Sequence, residues 1–345
     1  IYAHSTTFFD KILVFSPGIL KKSQILYNME KRFVSEFLFY GGFCMKVNLL
    51  DFSNCNLCPR NCNINRNTTT GFCGCTSHLK AARAALHHWE EPCISGTHGS
   101  GAVFFSGCTL KCCFCQNYAI SQEHLGKEIT PKRLGEIFLS LQEQGAHNID
   151  LITATQYLPL ILPALDMVKE QLHIPVVYNC GGYEKKETLA LLKDYIDIYL
   201  PDLKYYGSVL SKRYSKAENY FEIASSAILS MIEQTGGLEY DQHGILQKGV
   251  IIRHMVLPGC KDDSIQLLHW MKDTLPEGNY LLSLLSQYTP FYKSCEYPEI
   301  NRRITTYEYN KVLDTAIALG LTDGFMQEKS SAKEEYTPPF DLEGI

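Results

Sequence analysis

The sequence predicts an α/β protein: a partial (β/α)6 barrel of TIM type, preceded by a small cysteine-rich module. Three observations predict it. Strands alternate with helices from about residue 101, ten of the 14 cysteines lie between Cys55 and Cys115, and one cysteine loop follows the first strand directly. Strand–helix alternation implies βαβ units, right-handed crossovers and a parallel sheet. Chemistry on such barrels sits on loops after the C-terminal ends of strands, which is where the loop falls.

The elements follow in chain order. Ala102-Val103-Phe104-Phe105 reads as a short buried strand. Thr130 caps a helix over 130–144, with Pro131 in its first turn and Gly145 at its stop. Strands are expected at 150–154, 174–179, 196–200, 250–256 and 280–285. Helices are expected at 158–172, 184–193, 211–234, 263–274 and 305–319. Six units make a partial barrel, and an eight-stranded one would need about two more. The expected divisions are a weakly structured extension over 1–44, the cysteine-rich module over 45–100, the barrel over 101–325 and a tail over 326–345. The chain begins with Ile1; Met29 and Met45 are candidate start residues, and Met45, ten positions before Cys55, is preferred.

Composition narrows the function. Apolar residues make up 45% and the net charge is −5, so nothing resembles a basic surface built for nucleic acid. No uninterrupted apolar run approaches the roughly 20 residues of a membrane span. Clustered cysteines at C-x2-C spacing, with no secretory pattern, point to metal or cluster ligation in a reducing cytoplasm rather than to disulfides.

Two cysteine groups carry the chemistry. In the module, Cys55, Cys58 and Cys62 are followed by Cys73 and Cys75 among glycines. Cys55, Cys58, Cys62 and Cys73 (or Cys75) form a four-ligand set suited to structural zinc or a second Fe–S cluster; unliganded thiols are the alternative. In the loop, Cys108, Cys112 and Cys115 are spaced C-x3-C-x2-C. Three thiolates hold three corners of a [4Fe–4S] cube and leave one iron open. A zinc site and a chance cluster of thiols are the competing readings. Cys113 reads as a bystander, since adjacent cysteines do not easily reach one cube.

Read together, several stretches resemble the radical S-adenosylmethionine (radical SAM) superfamily, and within it the family named as relatives of pyruvate formate-lyase activating enzyme. The stretches are the cysteine loop with Phe114; Cys55–Cys62 with Pro59-Arg60; Trp89-Glu90-Glu91-Pro92-Cys93; Asp197 to Tyr205; Arg253 to Gly259; and Ser286-Gln287-Tyr288-Thr289-Pro290. The resemblance covers about residues 50–325. It implies a [4Fe–4S] cluster on Cys108, Cys112 and Cys115, with SAM at the open iron. It further implies a one-electron donor such as flavodoxin or ferredoxin, and a 5′-deoxyadenosyl radical that abstracts hydrogen from substrate.

Other site residues follow from position. Asn179 ends the third strand before Gly181-Gly182. Asp202 and Lys204 follow the fourth strand and suit the SAM ribose or carboxylate. Arg253 and His254 lie within the fifth strand, where alternation turns only one of them inward. Gln287 and Tyr288 are placed to face substrate, while His87, His88 and Trp89 are expected to pack between modules. Two features depart from the relatives: Thr153-Ala154-Thr155-Gln156 stands where a Pro and a His are expected, and no Gly-Gly-Glu run supplies the SAM amino-group contact. The substrate is open between a small molecule and a macromolecule. A glycyl-radical activase is one alternative, although in activases of that class the extra cysteines follow the loop. A non-catalytic Fe–S or zinc protein is the other.

Overall fold

A computed structural model describes residues 49–327 and 337–345 in full, and residues 37–40 and 43–46 as backbone. The chain divides into two compact units, 1–48 and 49–345. In the first, β1 (Phe37–Tyr40) pairs antiparallel with β2 (Phe43–Lys46); the rest of the expected 1–44 extension lies outside the described residues.

The second unit is built on one sheet. Its central strands are β4 (Ser100–Phe105), β6 (Ile149–Ile152), β7 (Val176–Cys180), β8 (Ile198–Pro201), β10 (Leu246–Met255) and β11 (Leu281–Leu285). These are the six expected strands, parallel and in that spatial order. The fold is thus α/β with a mostly parallel sheet, as a partial barrel core requires. Helices α3 (Pro131–Glu143), α4 (Leu158–Val168), α5 (Lys186–Ala190), α7 (Tyr220–Thr235), α8 (Lys261–Thr274) and α9 (Thr306–Ala318) follow the strands in turn; α1 (Pro92–Ser95) and α2 (Tyr118–Ser121) are single turns. β4 is buried along its length: Val103 and Phe105 join the main core, and Ala102 and Phe104 face the barrel interior with Ile152.

Further strands border these six. β3 (Lys80–His87) pairs antiparallel with β4, so the sheet runs across position 100/101. β5 (Lys127–Glu128) extends β3, β9 (Glu239–Tyr240) pairs with β10, and β12 (Gly324–Met326) lies parallel on β11. The Lys80-Ala81-Ala82-Arg83-Ala84-Ala85 run favours helix intrinsically, and pairing overrides that preference.

The helix expected over 211–234 is two helices. α6 (Ser208–Ser215) ends at Lys216, whose φ of 56° is left-handed, and α7 begins at Tyr220. The break presents the Tyr214 and Ser215 carbonyls to the cysteine loop: Cys113 N–H donates to Tyr214 at 2.8 Å and Lys111 N–H to Ser215 at 3.2 Å.

Within the expected tail, residues 328–336 lie outside the described set, and 337–345 run along the open edge of β3. Leu342 N–H donates to the Ala82 carbonyl (3.0 Å) and Ala84 N–H to the Glu343 carbonyl (2.8 Å). Arg83 pairs with Asp341 at 2.7 Å and also with Glu343. Phe340 packs edge-on against Phe104 inside the barrel. An exposed strand edge is thereby covered.

Candidate active site

A cavity of about 250 Å³ opens at the C-terminal ends of the six parallel strands. Cys108, Cys112 and Cys115 lie on one side of it, and Asn179, Asp202, Lys204 and Arg253 also line it. Cys113 is buried and does not line it.

The loop backbone is held from several directions. Gly107 opens it at φ +83°, and a Cβ there would lie 2.0 Å from Cys75 Sγ, so glycine alone fits. Gln156 Nε2 donates to the Ser106 and Gly107 carbonyls (3.0 and 3.2 Å). Arg60 Nε donates to Thr109 (2.8 Å), and Lys293 N–H to Cys113 (2.9 Å). Each of the three sulfurs has a polar neighbour. Leu110 N–H donates to Cys108 Sγ (3.4 Å), Ser215 Oγ to Cys112 Sγ (3.0 Å), and Ser121 Oγ lies 3.3 Å from Cys115 Sγ. Burial, then the neighbouring sulfur of Cys112, pushes the Cys108 thiol up to about 12 and the Cys115 thiol to about 11. As free thiols they stay protonated; a bound iron would replace the proton and supply the positive charge a buried thiolate needs.

Arg253 organises the buried polar groups. Its Nε donates to Asp202 Oδ1 (3.0 Å), Nη1 to Glu90 Oε2 (3.0 Å) and Nη2 to Asn179 Oδ1 (2.5 Å). Lys204 Nζ donates to Asp202 Oδ2 at 2.7 Å. Burial pulls Asp202 upward, but Arg253 and Lys204 hold it below the usual carboxylate range. Burial also works against the Lys204 ammonium, yet Asp202 and the nearby Cys112 keep it charged. Behind them, burial raises Glu91 to about 7 and pushes Asp150 well upward. Asp150 Oδ2 accepts from Asn179 Nδ2 at 3.2 Å.

His254 is not brought to this site. Strand alternation turns it away from Arg253, and its Nδ1–H donates to the Leu203 carbonyl at 2.6 Å. Burial lowers it to about 4, so it is neutral. His87 and Trp89, expected between modules, line the cavity, as do Gln287 and Tyr288; the Tyr288 hydroxyl turns aside to donate to Ile300 (2.8 Å). Four contributors carry no assignment from sequence: Glu90, Gln156, Ser121 and Ser215. The Glu90-Glu91-Pro92 run was the available signal for Glu90; the serines have none, because only the fold brings them to the sulfurs. Thr153, in the departing stretch, lines the cavity at φ 58°, rare for a β-branched residue.

In the N-terminal group, Cys62 and Cys73 Sγ lie 3.6 and 3.4 Å from where a Gly71 Cβ would stand, and Cys58 is close enough to feel both charges. Cys55 Sγ instead faces Arg66 Nη1 at 3.8 Å. Among the described residues, no three His, Cys, Asp or Glu side chains converge as ligands of a single metal ion. Cysteines on a cube bind separate irons, so that convergence is a zinc-type requirement only. No helix among the described residues is long and apolar enough to cross a membrane.

Residues 102–270 match the Radical SAM superfamily profile. The chain is 33% identical over 291 residues to the uncharacterized protein MJ0674 of Methanocaldococcus jannaschii, covering 79% of each. It is 22% identical over 263 residues to MJ0808 of the same organism, covering 71% of this chain and 73% of that one. Streptococcus suis SuiB bound to S-adenosylmethionine aligns with 15% identity and a TM-score of 0.44, over 64% of this chain and 48% of its own. Methylornithine synthase (PylB) aligns with 15% identity and a TM-score of 0.43, over 61% and 59%. This chain spans about half the length of SuiB.

Proposed function

The chain belongs to the radical SAM superfamily, and from that membership we propose that it cleaves S-adenosylmethionine reductively to abstract hydrogen from a substrate. The observation that carries this reading is that Cys108, Cys112 and Cys115 line the same strand-end cavity as Asn179, Asp202, Lys204 and Arg253. A [4Fe–4S] cluster, when bound, supplies the electron that splits the SAM sulfonium into methionine and the 5′-deoxyadenosyl radical.

This chain's residues do the holding. The three thiolates bind three irons. Ser215, Ser121 and the Leu110 amide hydrogen-bond the sulfurs, a contact that tunes cluster potential. Lys204, beside Cys112, suits the SAM carboxylate, and Asp202 suits either the amino group or the ribose hydroxyls. Arg253 fixes Asp202 and Asn179, so these two groups need not reorganise on binding. Phe104, Ile120 and Ile152 give the cavity an apolar wall, a surface that does not itself hold water beside a reactive intermediate. The Cys62 and Cys73 sulfurs beside Gly71, with Cys58 near both, support a second Fe–S cluster in this module.

Anaerobic reconstitution with iron and sulfide tests both sites. About four irons per chain are expected for one cube and about eight for two. Dithionite reduction with SAM is expected to yield 5′-deoxyadenosine, and the Cys108→Ala, Cys112→Ala, Cys115→Ala variant none. An intact reduced cluster that leaves SAM whole defeats the reading. A Cys58→Ala, Cys62→Ala, Cys73→Ala variant is expected to lose half of the iron; unchanged iron removes the second cluster.

A further inference from the structure

We infer that the surface around the C-terminal end of α6 is the docking face for an acidic one-electron carrier protein. The inference rests on the cluster assignment above. The chain as a whole is acidic, with net charge −5, yet cations collect here. Lys212, Arg213 and Lys216 line an open surface cavity of about 510 Å³. Behind them, half-buried Arg60 and Lys111 flank the Phe72 ring, 3.8 and 5.7 Å from its centroid, and Arg60 Nη1 donates to the Lys216 carbonyl at 2.6 Å. Glu218 pairs with Lys212 at 2.8 Å and Glu299 with Arg213 at 2.7 Å, and Glu296 lies close enough to Cys113 to act on it together with Lys216. The Lys212–Glu218 pair is exposed on each side, so it is weak and free to exchange for a partner's acids; Glu299 is held more firmly, accepting also from Arg213 Nε and Tyr214 Oη at 2.8 Å each. Val209, 75% exposed beside them, adds an apolar contact at the same patch.

The position gives the patch its meaning. Ser215 directly precedes Lys216, and its Oγ donates to Cys112 Sγ at 3.0 Å. One residue therefore separates the basic surface from a cluster ligand. None of Arg60, Lys111, Lys212, Arg213 or Lys216 lines the strand-end cavity, so a carrier bound here leaves that cavity free for SAM and substrate. A cluster that reduces SAM must itself gain one electron for each cleavage. At this face the carrier is oxidised by one electron and the cluster reduced by one, and no bond forms or breaks in the step. Complementary charge mainly raises the rate of such encounters and makes them salt-sensitive.

The test uses the full chain, a purified acidic flavodoxin as the probe, and the variant Lys212→Glu, Arg213→Glu, Lys216→Glu. Calorimetric titration with oxidised flavodoxin is expected to show binding that weakens with salt, with Kd at least 10-fold higher for the variant. In the reconstituted proteins, 5′-deoxyadenosine formation driven by photoreduced flavodoxin is expected to fall at least 10-fold, and the dithionite-driven rate to stay unchanged. Equal Kd values, or salt-independent binding, overturn the docking face. Should the parent bind flavodoxin in this way yet never cleave SAM with dithionite, the cleavage reading fails and the docking face stands. Should the triple variant misfold by circular dichroism, Lys216→Ala alone decides: a Kd equal to the parent's overturns the proposal, and a raised Kd supports it.

Discussion

Arg253 is the residue on which the interior of the cavity depends most. Three partners take its nitrogens within 3.0 Å, two of them carboxylates, and its side chain is 16% exposed. Removing one partner of a buried ion network leaves the others uncompensated, at a cost of about 3–5 kcal/mol. Arg253→Met is therefore expected to lower stability by that amount in urea unfolding. Arg253→Lys restores the charge without the planar fork, so it is expected to fall between parent and Met variant. Equal stability of all three proteins would show that Asp202 and Glu90 take up protons without loss. At the same scale, Gly107 and Cys75 explain each other: the left-handed glycine opens the cysteine loop where the N-terminal segment presses against it.

Among elements, segment 337–345 and β3 form the least obvious pairing. Thr337 and Pro338 line the cavity, Phe340 enters the barrel against Phe104, and residues 342–343 pair with the edge of β3. Phe340 is partly buried, so its loss is expected to cost less than the roughly 3–5 kcal/mol of a fully buried aromatic ring, and the backbone contacts beyond it are few. Phe340→Ala is thus expected to release the segment, seen as faster hydrogen exchange at the Ala84 amide. Protection equal to the parent's would mean that the Arg83 pairs with Asp341 and Glu343 hold the segment alone. The break between α6 and α7 is the other element-scale device, since an unbroken helix would carry Ser215 and its carbonyl away from Cys112 and Lys111.

Across the whole molecule, buried acids shape the response to pH. Glu184 is 3% exposed and accepts from Thr155 Oγ1 (2.8 Å) and Tyr178 Oη (3.3 Å). Burial raises it to about 8 from an ordinary 4.5, with both hydrogen bonds opposing. The folded state then holds a proton that the unfolded chain has released. Its stabilising contribution is complete below about pH 4.5 and is lost as pH rises through 8. Across that window the loss is on the order of a few kcal/mol. Glu184→Gln is expected to flatten the fall in Tm between pH 5 and 8.5, with parent and variant closest at the acid end. Parallel Tm curves would remove Glu184 as the cause.

The sequence by itself determined the six parallel strands, the place of the cysteine loop after the first of them, and the loop's three-cysteine spacing. Each rests on local patterning: β-rich apolar runs, helix caps, and ligands only a few residues apart. Tertiary structure alone decided which distant groups meet that loop. Ser215 lies 103 residues from Cys112 and Glu90 lies 163 from Arg253; no periodicity relates such positions. It also decided that Arg253 faces inward and His254 outward, because alternation allows either phase until neighbouring strands fix the register. The Ala-rich β3 and the left-handed turn at Lys216 escaped sequence reading for one reason: local propensity there favours helix, and pairing and loop contacts outweigh it.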